Sequence, residues 1–436
     1  MKQDQIDMSK EKIIHLYLSV YLFAVIIGIY ISSYFQQQLT NTLSFTVADG
    51  WCDPKLQGIG AHCFGDFYYV LGFISKDNPW SGSPIPYPPL GLFIFKPFAF
   101  IVDLFPANPY GVYTYLAFIL LSMMSIPIHL YKIKKFNGSE SILFGMLIVS
   151  SAPAIVALDR GNVLTLCVPL IYFFLHFEKA GISNKSFVFW LTLVLLKPQF
   201  ALLGLLFLRG RNIKGAIRRG ILGFTIFCAS FLLYPIGLKE NFTLYIKQLI
   251  SYQENLPLGF VFPVNISIGS SLAIVDVIWQ TSFARATTLV SIVVLIATVV
   301  VVYRSSAMLK VSIVLPVLLL PIILPQTSFH YYLVVLIPFY AFIPLDNLNR
   351  KILAADPTRR ISLGRIQNFC ERALITWPVL LFVPWAIPWN VLGSGYMNTP
   401  LGISMHWLLI TWTLPIYLIG SLIYSELSRK QSSSNL

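Results

Sequence analysis

The chain has 436 residues, of which 56% are hydrophobic and 11% are charged. Soluble globular chains carry about 25% charged residues, so this composition leaves too little polar surface to face water and excludes an ordinary soluble domain. The formal net charge is +13, but the basic residues lie in short runs between apolar stretches. That is the positive-inside pattern of cytoplasmic loops. We therefore expect an all-α, multi-pass protein of the inner or plasma membrane, without a nucleic-acid partner.

The apolar stretches predict about twelve membrane helices, since a spanning helix needs about 20 apolar residues. The first, 13–34, lacks a small-residue cleavage site, which argues against a removable signal peptide. Nine more are predicted at 111–131, 141–158, 163–177, 217–237, 284–303, 311–324, 331–345, 373–390 and 404–424. With a helical hairpin between 163–177 and 217–237, both termini are expected on the cytoplasmic side.

The hairpin is predicted at 187–208, an apolar stretch with basic residues on both sides. A single crossing would place one basic flank outside, so a turn at Lys197-Pro198-Gln199 agrees better with the charge rule. Each arm is then about a dozen residues long, which is too short to cross fully unless the site is recessed into the membrane.

A second unusual stretch, 88–105, is interrupted by two charged residues and a proline. Counting it as a span would place the next basic segment outside, so we expect an interfacial or re-entrant helix on the outer face. Residues 35–109 then form one long external loop. Cys52 and Cys63 lie in this loop, where oxidising conditions permit a disulfide, and the spacing leaves a bridge and two free thiols equally open.

Asp66 stands in an aromatic stretch, Gly65-Asp66-Phe67-Tyr68-Tyr69, within the predicted external loop. A carboxylate in a poorly solvated aromatic setting is a usable base near neutral pH. The spacing alone favours a different role, the N-cap of a helix, because Asp is a preferred cap residue. Tyr87 follows in a proline-rich segment that we expect to form a rigid bend.

Three further places carry polar residues beside predicted spans. Asp159-Arg160-Gly161-Asn162 is either an ordinary helix terminus or an anion site, in which Gly allows close backbone approach and Arg grips a phosphate. Lys197 lies within an apolar run, where a lysine indicates function unless it reaches the interface. His330 lies in a predicted outer turn and could donate to a phosphate, shuttle a proton or simply be hydrogen-bonded.

The order of these motifs resembles family 87 of the polytopic GT-C glycosyltransferases, typified by polyprenyl-phosphate-mannose-dependent alpha-mannosyltransferases. The resemblance covers about residues 10–345. It rests on the early Asp with aromatics, then on Tyr-Pro-Pro-Leu at 87–90, Arg-Gly-Asn at 160–162, Lys-Pro-Gln-Phe-Ala at 197–201 and Ser-Phe-His-Tyr at 328–331. It implies a GT-C-like catalytic module at 1–345, followed at 346–436 by a basic cytoplasmic loop and two C-terminal membrane helices.

The resemblance also implies a reaction. A sugar, mannose or another hexose, moves with inversion from a polyprenyl-phosphate donor to a lipid or glycan acceptor on the non-cytoplasmic face, without an obligatory metal or cofactor. Asp66 would be the general base, and Arg160, Lys197 and His330 would hold the donor phosphate. The other residues expected at the substrate are Tyr69, Tyr87, Asp159, Asn162, Gln199 and Asn265.

The chain departs from the family pattern at two of these motifs. Many members carry Gly-Gln-x-Asn where this chain has Arg160-Gly161-Asn162, and Asn-Gln-Ser where it has Asn265-Ile266-Ser267. The sugar and the acceptor therefore stay open. The sequence also leaves two other classes open. A transporter or flippase of a lipid-linked saccharide would show pseudo-symmetric halves more often, and a polysaccharide polymerase or ligase would have its large loop late in the chain.

Overall fold

A computed structural model describes the central part of the chain and two short later segments. The described residues are 64–74, 76, 78–81, 85–105, 110–254, 267–269, 272–273, 276, 280, 282–305, 309, 311–325, 328, 330–342, 386–388 and 402–404. This part is mostly helical, as the composition predicts. The strands Ala386–Pro388 and Gly402–Ser404 pair antiparallel.

Most of the described residues lie in helices. In chain order they are α1 Gly65–Ile74, α2 Pro89–Phe93, α3 Lys96–Leu104, α4 Tyr110–Lys132, α5 Gly138–Ser150, α6 Ala152–Asp159, α7 Leu164–Lys179, α8 Ser183–Leu196, α9 Ile213–Ala229, α10 Leu238–Glu254, α11 Thr287–Arg304, α12 Val311–Ile323 and α13 Ile337–Phe342. Segments of 3-10 helix run over Pro198–Arg211, Ser230–Leu233, Phe283–Ala286 and His330–Leu336.

Three of the described helical segments are long and apolar enough to cross a membrane. They are Tyr110–Lys132, Ile213–Leu233 and Thr287–Arg304, and they overlap the predicted spans 111–131, 217–237 and 284–303. Shorter apolar helices include Gly138–Val149, Ser183–Leu196, Ile313–Ile323 and Tyr332–Phe342. The described part therefore has the character of a membrane protein.

Two predicted spans differ from the structure. The stretch 141–158 is two helices rather than one, because Ser151 adopts an extended conformation with ψ 141° between α5 and α6. The strand Ala386–Pro388 falls inside the predicted helix 373–390, whose C-terminal end is therefore wrong; Pro388 lacks the N–H that a helix interior needs. The predicted helix 13–34 and the rest of 346–436 lie outside the described residues.

The predicted turn at Lys197 is present. Helix α8 ends at Leu196, Lys197 is extended with φ −147° and ψ 103°, and the 3-10 arm begins at Pro198. The two arms lie against each other, since a Cβ added at Gly204 would be 3.0 Å from the Trp190 ring. This helical hairpin brings Lys197 to its tip.

A buried ion pair closes the open end of the hairpin. Arg209 Nη2 donates to Glu178 Oε1 over 2.6 Å, and both side chains are at most 10% exposed. The Ser186 hydroxyl donates to the other oxygen of Glu178, and the backbone N–H of Gly210 donates to the Ser305 carbonyl. Helices α7, α8 and α11 are therefore tied to the 3-10 arm, which fixes the position of the tip.

The segment 88–105 is not a single span. It forms the two short helices α2 and α3, and its outer side exposes Phe93, Phe100 and Leu104. The Lys96 ammonium lies 5.1 Å from the centroid of the Phe93 ring. An exposed apolar face beside a lysine is the pattern expected of an interfacial segment.

Candidate active site

The carboxylate of Asp66 is bound by two residues that lie almost a hundred positions later in the chain. Arg160 Nη2 donates to Oδ1 over 2.8 Å, and Arg160 Nε donates to Oδ2 over 3.2 Å. Asn162 Nδ2 donates to Oδ2 over 2.5 Å. Asp66 lies in the first turn of α1, but its carboxylate faces these two residues. The N-cap role that the spacing favours is therefore wrong.

The backbone at the start of α1 is also hydrogen-bonded to Arg160. The N–H groups of Asp66 and Phe67 donate to the Arg160 carbonyl oxygen over 3.0 and 3.3 Å. A helix start leaves N–H groups without intrahelical partners, so this carbonyl satisfies two of them. Asp66 and Arg160 are thus held together by their backbones as well as by their side chains.

The turn at 160–162 is a helix terminus, which is one of the two roles that the sequence left open. Gly161 has φ +64°, a left-handed conformation that favours glycine, and its carbonyl accepts from the Tyr115 hydroxyl over 3.1 Å. Asn162 is 2% exposed, and its Oδ1 accepts from the backbone N–H of Leu164 over 3.0 Å. The same residues therefore end one helix, begin the next and hold Asp66.

An aromatic layer lies beneath Asp66. The Phe67 and Tyr115 rings are stacked at 4.8 Å, and the Phe95 ring lies 5.2 Å from that of Tyr115. All three side chains are buried. Side chains locked in such packing move little, so the carboxylate above them is fixed in place.

Lys197 approaches from the tip of the hairpin. It is 5% exposed, and its ammonium lies 4.2 Å from the centroid of the Tyr87 ring and 5.7 Å from that of Tyr332. Tyr87 also accepts a weak hydrogen bond from Asn162 Nδ2 over 3.4 Å. The ammonium interacts electrostatically with both Asp66 and Arg160. Lys197 and Arg160, which the sequence analysis singled out separately, therefore lie in one site.

The bend that carries Tyr87 is packed tightly against the hairpin. A Cβ added at Gly91 would lie 2.8 Å from the Leu196 carbonyl oxygen. The Tyr87 carbonyl accepts from Trp80 Nε1 over 3.0 Å, and the Trp80 carbonyl accepts from Gln248 Nε2 over 2.8 Å. Trp80 is fully buried. It is a positioning residue that the sequence analysis missed, although an isolated Trp just before a proline-rich bend is a usable signal.

Gln199 and Tyr332 form the far side of the site. Gln199 Nε2 donates to the Pro321 carbonyl over 3.0 Å, and the side chains of Gln199 and Tyr332 are hydrogen-bonded to each other. Tyr332 also interacts electrostatically with Asp66. Sequence reasoning singled out His330 in this turn and missed Tyr332, two positions later.

Tyr69 is 43% exposed on α1, and its ring lies 5.0 Å from that of Phe73. Partial burial, together with the negative charge of Asp66, raises the pKa of its hydroxyl above the ordinary value. Tyr69 therefore lies near Asp66 but on the open side of α1.

Five predicted site residues cannot be placed by their side chains. The side chains of Asp159 and His330 lie outside what the structure describes, as do Asn265, Cys52 and Cys63 altogether. Among the described residues, no cluster of three or more His, Cys, Asp or Glu side chains could hold a metal ion.

The site thus gathers one carboxylate, one guanidinium and one ammonium in a partly buried aromatic setting. Such a set can take a proton at Asp66 and bind a phosphate at the two cations. Comparison of the chain with protein-family models, with curated proteins and with solved structures finds no match.

Proposed function

We propose that this protein is a membrane glycosyltransferase that moves a hexose from a polyprenyl-phosphate donor to a lipid or glycan acceptor. One observation carries the proposal: Asp66, Arg160 and Lys197, which come from three separate parts of the chain, lie together in one site that is buried at Lys197 and partly exposed at Asp66 and Arg160. The carboxylate can take the proton of an acceptor hydroxyl, and the two cations can bind the phosphate of a donor. The resemblance to family 87 of the GT-C enzymes supports the same chemistry.

The proposed reaction is a single displacement. The acceptor hydroxyl gives its proton to the Asp66 carboxylate, and its oxygen attacks the anomeric carbon. The bond from that carbon to the phosphate oxygen breaks, and the phosphate leaves with the electron pair. Arg160 and Lys197 stabilise the charge on the leaving group. The configuration at the anomeric carbon inverts, and no covalent intermediate on the protein is needed.

The proposal includes the topology that the charge pattern predicts. About twelve membrane helices in a GT-C-like fold would keep both termini in the cytoplasm and place the site on the non-cytoplasmic face. The exposed apolar side of α2 and α3 agrees with a segment that lies in the outer interface. From there the lipid chain of the donor could stay in the bilayer while its phosphate reaches Lys197.

The test is transfer by the purified protein. The protein in liposomes is given polyprenyl-phosphate mannose or glucose and a lipid extract, and labelled products are separated by mass. We expect sugar transfer by wild type and by Asp103→Asn, a change at an exposed aspartate on α3, and none by Asp66→Asn. Transfer by a folded Asp66→Asn variant at the wild-type rate would remove the proposed base. Passage of intact donor across the bilayer without transfer would favour the flippase alternative.

A further inference from the structure

The two residues that bind Asp66 hold it in different ways. Asn162 Nδ2 contacts Oδ2 alone, and the Asn162 amide cannot turn over, because its Oδ1 accepts from the backbone N–H of Leu164. Asn162 is also buried. Among the described residues, Arg160 alone contacts Oδ1, which it reaches through Nη2 at the end of a long side chain with 18% exposure. Asn162 is therefore held from two sides, whereas Arg160 reaches Asp66 from a longer and partly exposed side chain.

The edge of Arg160 that faces Asp66 cannot bind the donor phosphate while Asp66 holds it. Its planar fork matches either a carboxylate or a phosphate through two parallel hydrogen bonds. In the arrangement described above, Nε and Nη2 face Asp66, so this edge of the guanidinium is occupied. The oxygen that would receive the acceptor's proton is likewise occupied.

We propose that binding of the donor exchanges the partner of Arg160, from Oδ1 of Asp66 to the donor phosphate, while Asn162 continues to hold Oδ2. Oδ1 is then the oxygen that takes the acceptor's proton. This inference rests on the proposed function, and it makes Asn162 a positioning residue. It also sets an order of binding, in which the base becomes available only after the phosphate has arrived.

The exchange keeps an opposite charge beside both Asp66 and Arg160 throughout. An unpaired carboxylate or guanidinium in a poorly solvated setting is costly, so the two groups neutralise each other while the site is empty. A phosphate anion supplies the replacement charge for Arg160, and Lys197 stays within electrostatic reach of Asp66 when Arg160 moves away. Neither group is left without an opposite charge nearby.

A binding experiment without acceptor tests the exchange. The probe is a polyprenyl monophosphate in detergent, and its Kd is measured for wild type, Asp66→Asn, Arg160→Gln and the double variant. Asp66→Asn removes the competitor for Arg160, so we expect binding about tenfold tighter than wild type. Arg160→Gln should bind at least about tenfold more weakly, and in that background Asp66→Asn should gain much less.

The controls change exposed residues of the same types, Asp103→Asn and Arg285→Gln, which should leave the Kd at the wild-type value. Arg160→Lys, which keeps the charge without the fork, provides a second background in which the gain should also be reduced. Thermal unfolding checks that each variant is folded. Equal gains from Asp66→Asn with and without Arg160 would overturn the exchange but leave the proposed function standing. No binding of the probe by wild type would overturn both.

Asn162→Ala separates positioning from binding. We expect its kcat for transfer to fall at least about tenfold, because Asp66 loses the contact at Oδ2, with the Kd for polyprenyl monophosphate unchanged. A change of Kd as large as the change of kcat would mean that Asn162 acts on the phosphate or on the fold, and not on the orientation of the base.

Discussion

Gly161 offers the sharpest test of how the site is built. Its φ of +64° lies in the left-handed region, and a Cβ placed there would lie 2.8 Å from the Cβ of Phe67. Phe67 cannot easily yield, since it is fully buried and stacked on Tyr115. Gly161→Ala should therefore push the 160–162 turn away from the start of α1.

The expected cost has two parts. An alanine in the left-handed conformation costs about 1–2 kcal/mol, and forcing extra volume into a packed contact costs about 1–3 kcal/mol. Together they predict a loss of about 2–5 kcal/mol in the free energy of unfolding. The contact that must open is also the one that carries the hydrogen bond from Asp66 N–H to the Arg160 carbonyl. A displacement of about 1 Å there should reduce sugar transfer by about a hundredfold.

The measurement is the midpoint of thermal unfolding of the purified protein in detergent, with transfer assayed in parallel. Gly72→Ala is the matched control, because Gly72 lies in α1 with nothing within 4 Å of an added Cβ; it should be neutral or stabilising by about 0.5–1 kcal/mol. Asparagine adopts the left-handed conformation more readily than alanine, but its Cβ would still clash with Phe67. Gly161→Asn should therefore recover only part of the stability that Gly161→Ala loses. A Gly161→Ala protein as stable and as active as wild type would refute the reasoning.

Three further changes test other parts of the arrangement. Lys197→Met should weaken binding of polyprenyl monophosphate at least about tenfold, whereas Lys239→Met, at an exposed lysine, should not; equal Kd values for the two would place Lys197 outside the site. Glu178→Ala should lower stability by about 3–5 kcal/mol, because it leaves a buried arginine unpaired, without altering the Kd of the folded fraction; a normal unfolding midpoint would contradict this. Trp80→Phe keeps an aromatic ring but loses the hydrogen bond to the Tyr87 carbonyl, so stability should fall by about 1 kcal/mol and the KM for donor should rise; an unchanged KM would show that Tyr87 does not depend on this bond.

Local properties of the chain were predictable and long-range pairings were not. Apolar runs predict membrane-length helices because hydropathy is summed over neighbouring residues, and the span 111–131 differs from Tyr110–Lys132 by one residue at each end. The bend at Lys197 was predictable for the same reason, since proline and charge rules are local. The break at Ser151 was missed, although two serines followed by Pro153 are a local signal for the end of one helix and the start of the next.

The partner of Asp66 could not be derived from spacing. Asp66 and Arg160 are 94 positions apart, and their contact depends on how α1 packs against the α6–α7 turn. The resemblance implied that Asp66 and Arg160 contact the same substrate, with Arg160 binding its phosphate. The structure instead pairs Arg160 with Asp66. Tyr332 was missed because the more conspicuous His330 stands in the same turn. In each case the residue type was informative, but the packing decided its partner.

The charges in the site balance with the donor bound and again after transfer. Asp66, Arg160 and Lys197 sum to +1 when the site is empty, and the phosphodiester of a polyprenyl-phosphate sugar carries −1. After transfer, a protonated Asp66 contributes nothing, the two cations contribute +2, and the released phosphate monoester approaches −2 near neutral pH. A buried site disfavours uncompensated charge, so this count favours a monophosphate donor over a diphosphate, whose product would leave an excess of negative charge. A polyprenyl diphosphate should therefore bind this site more weakly than the monophosphate when both are compared in the absence of divalent cations.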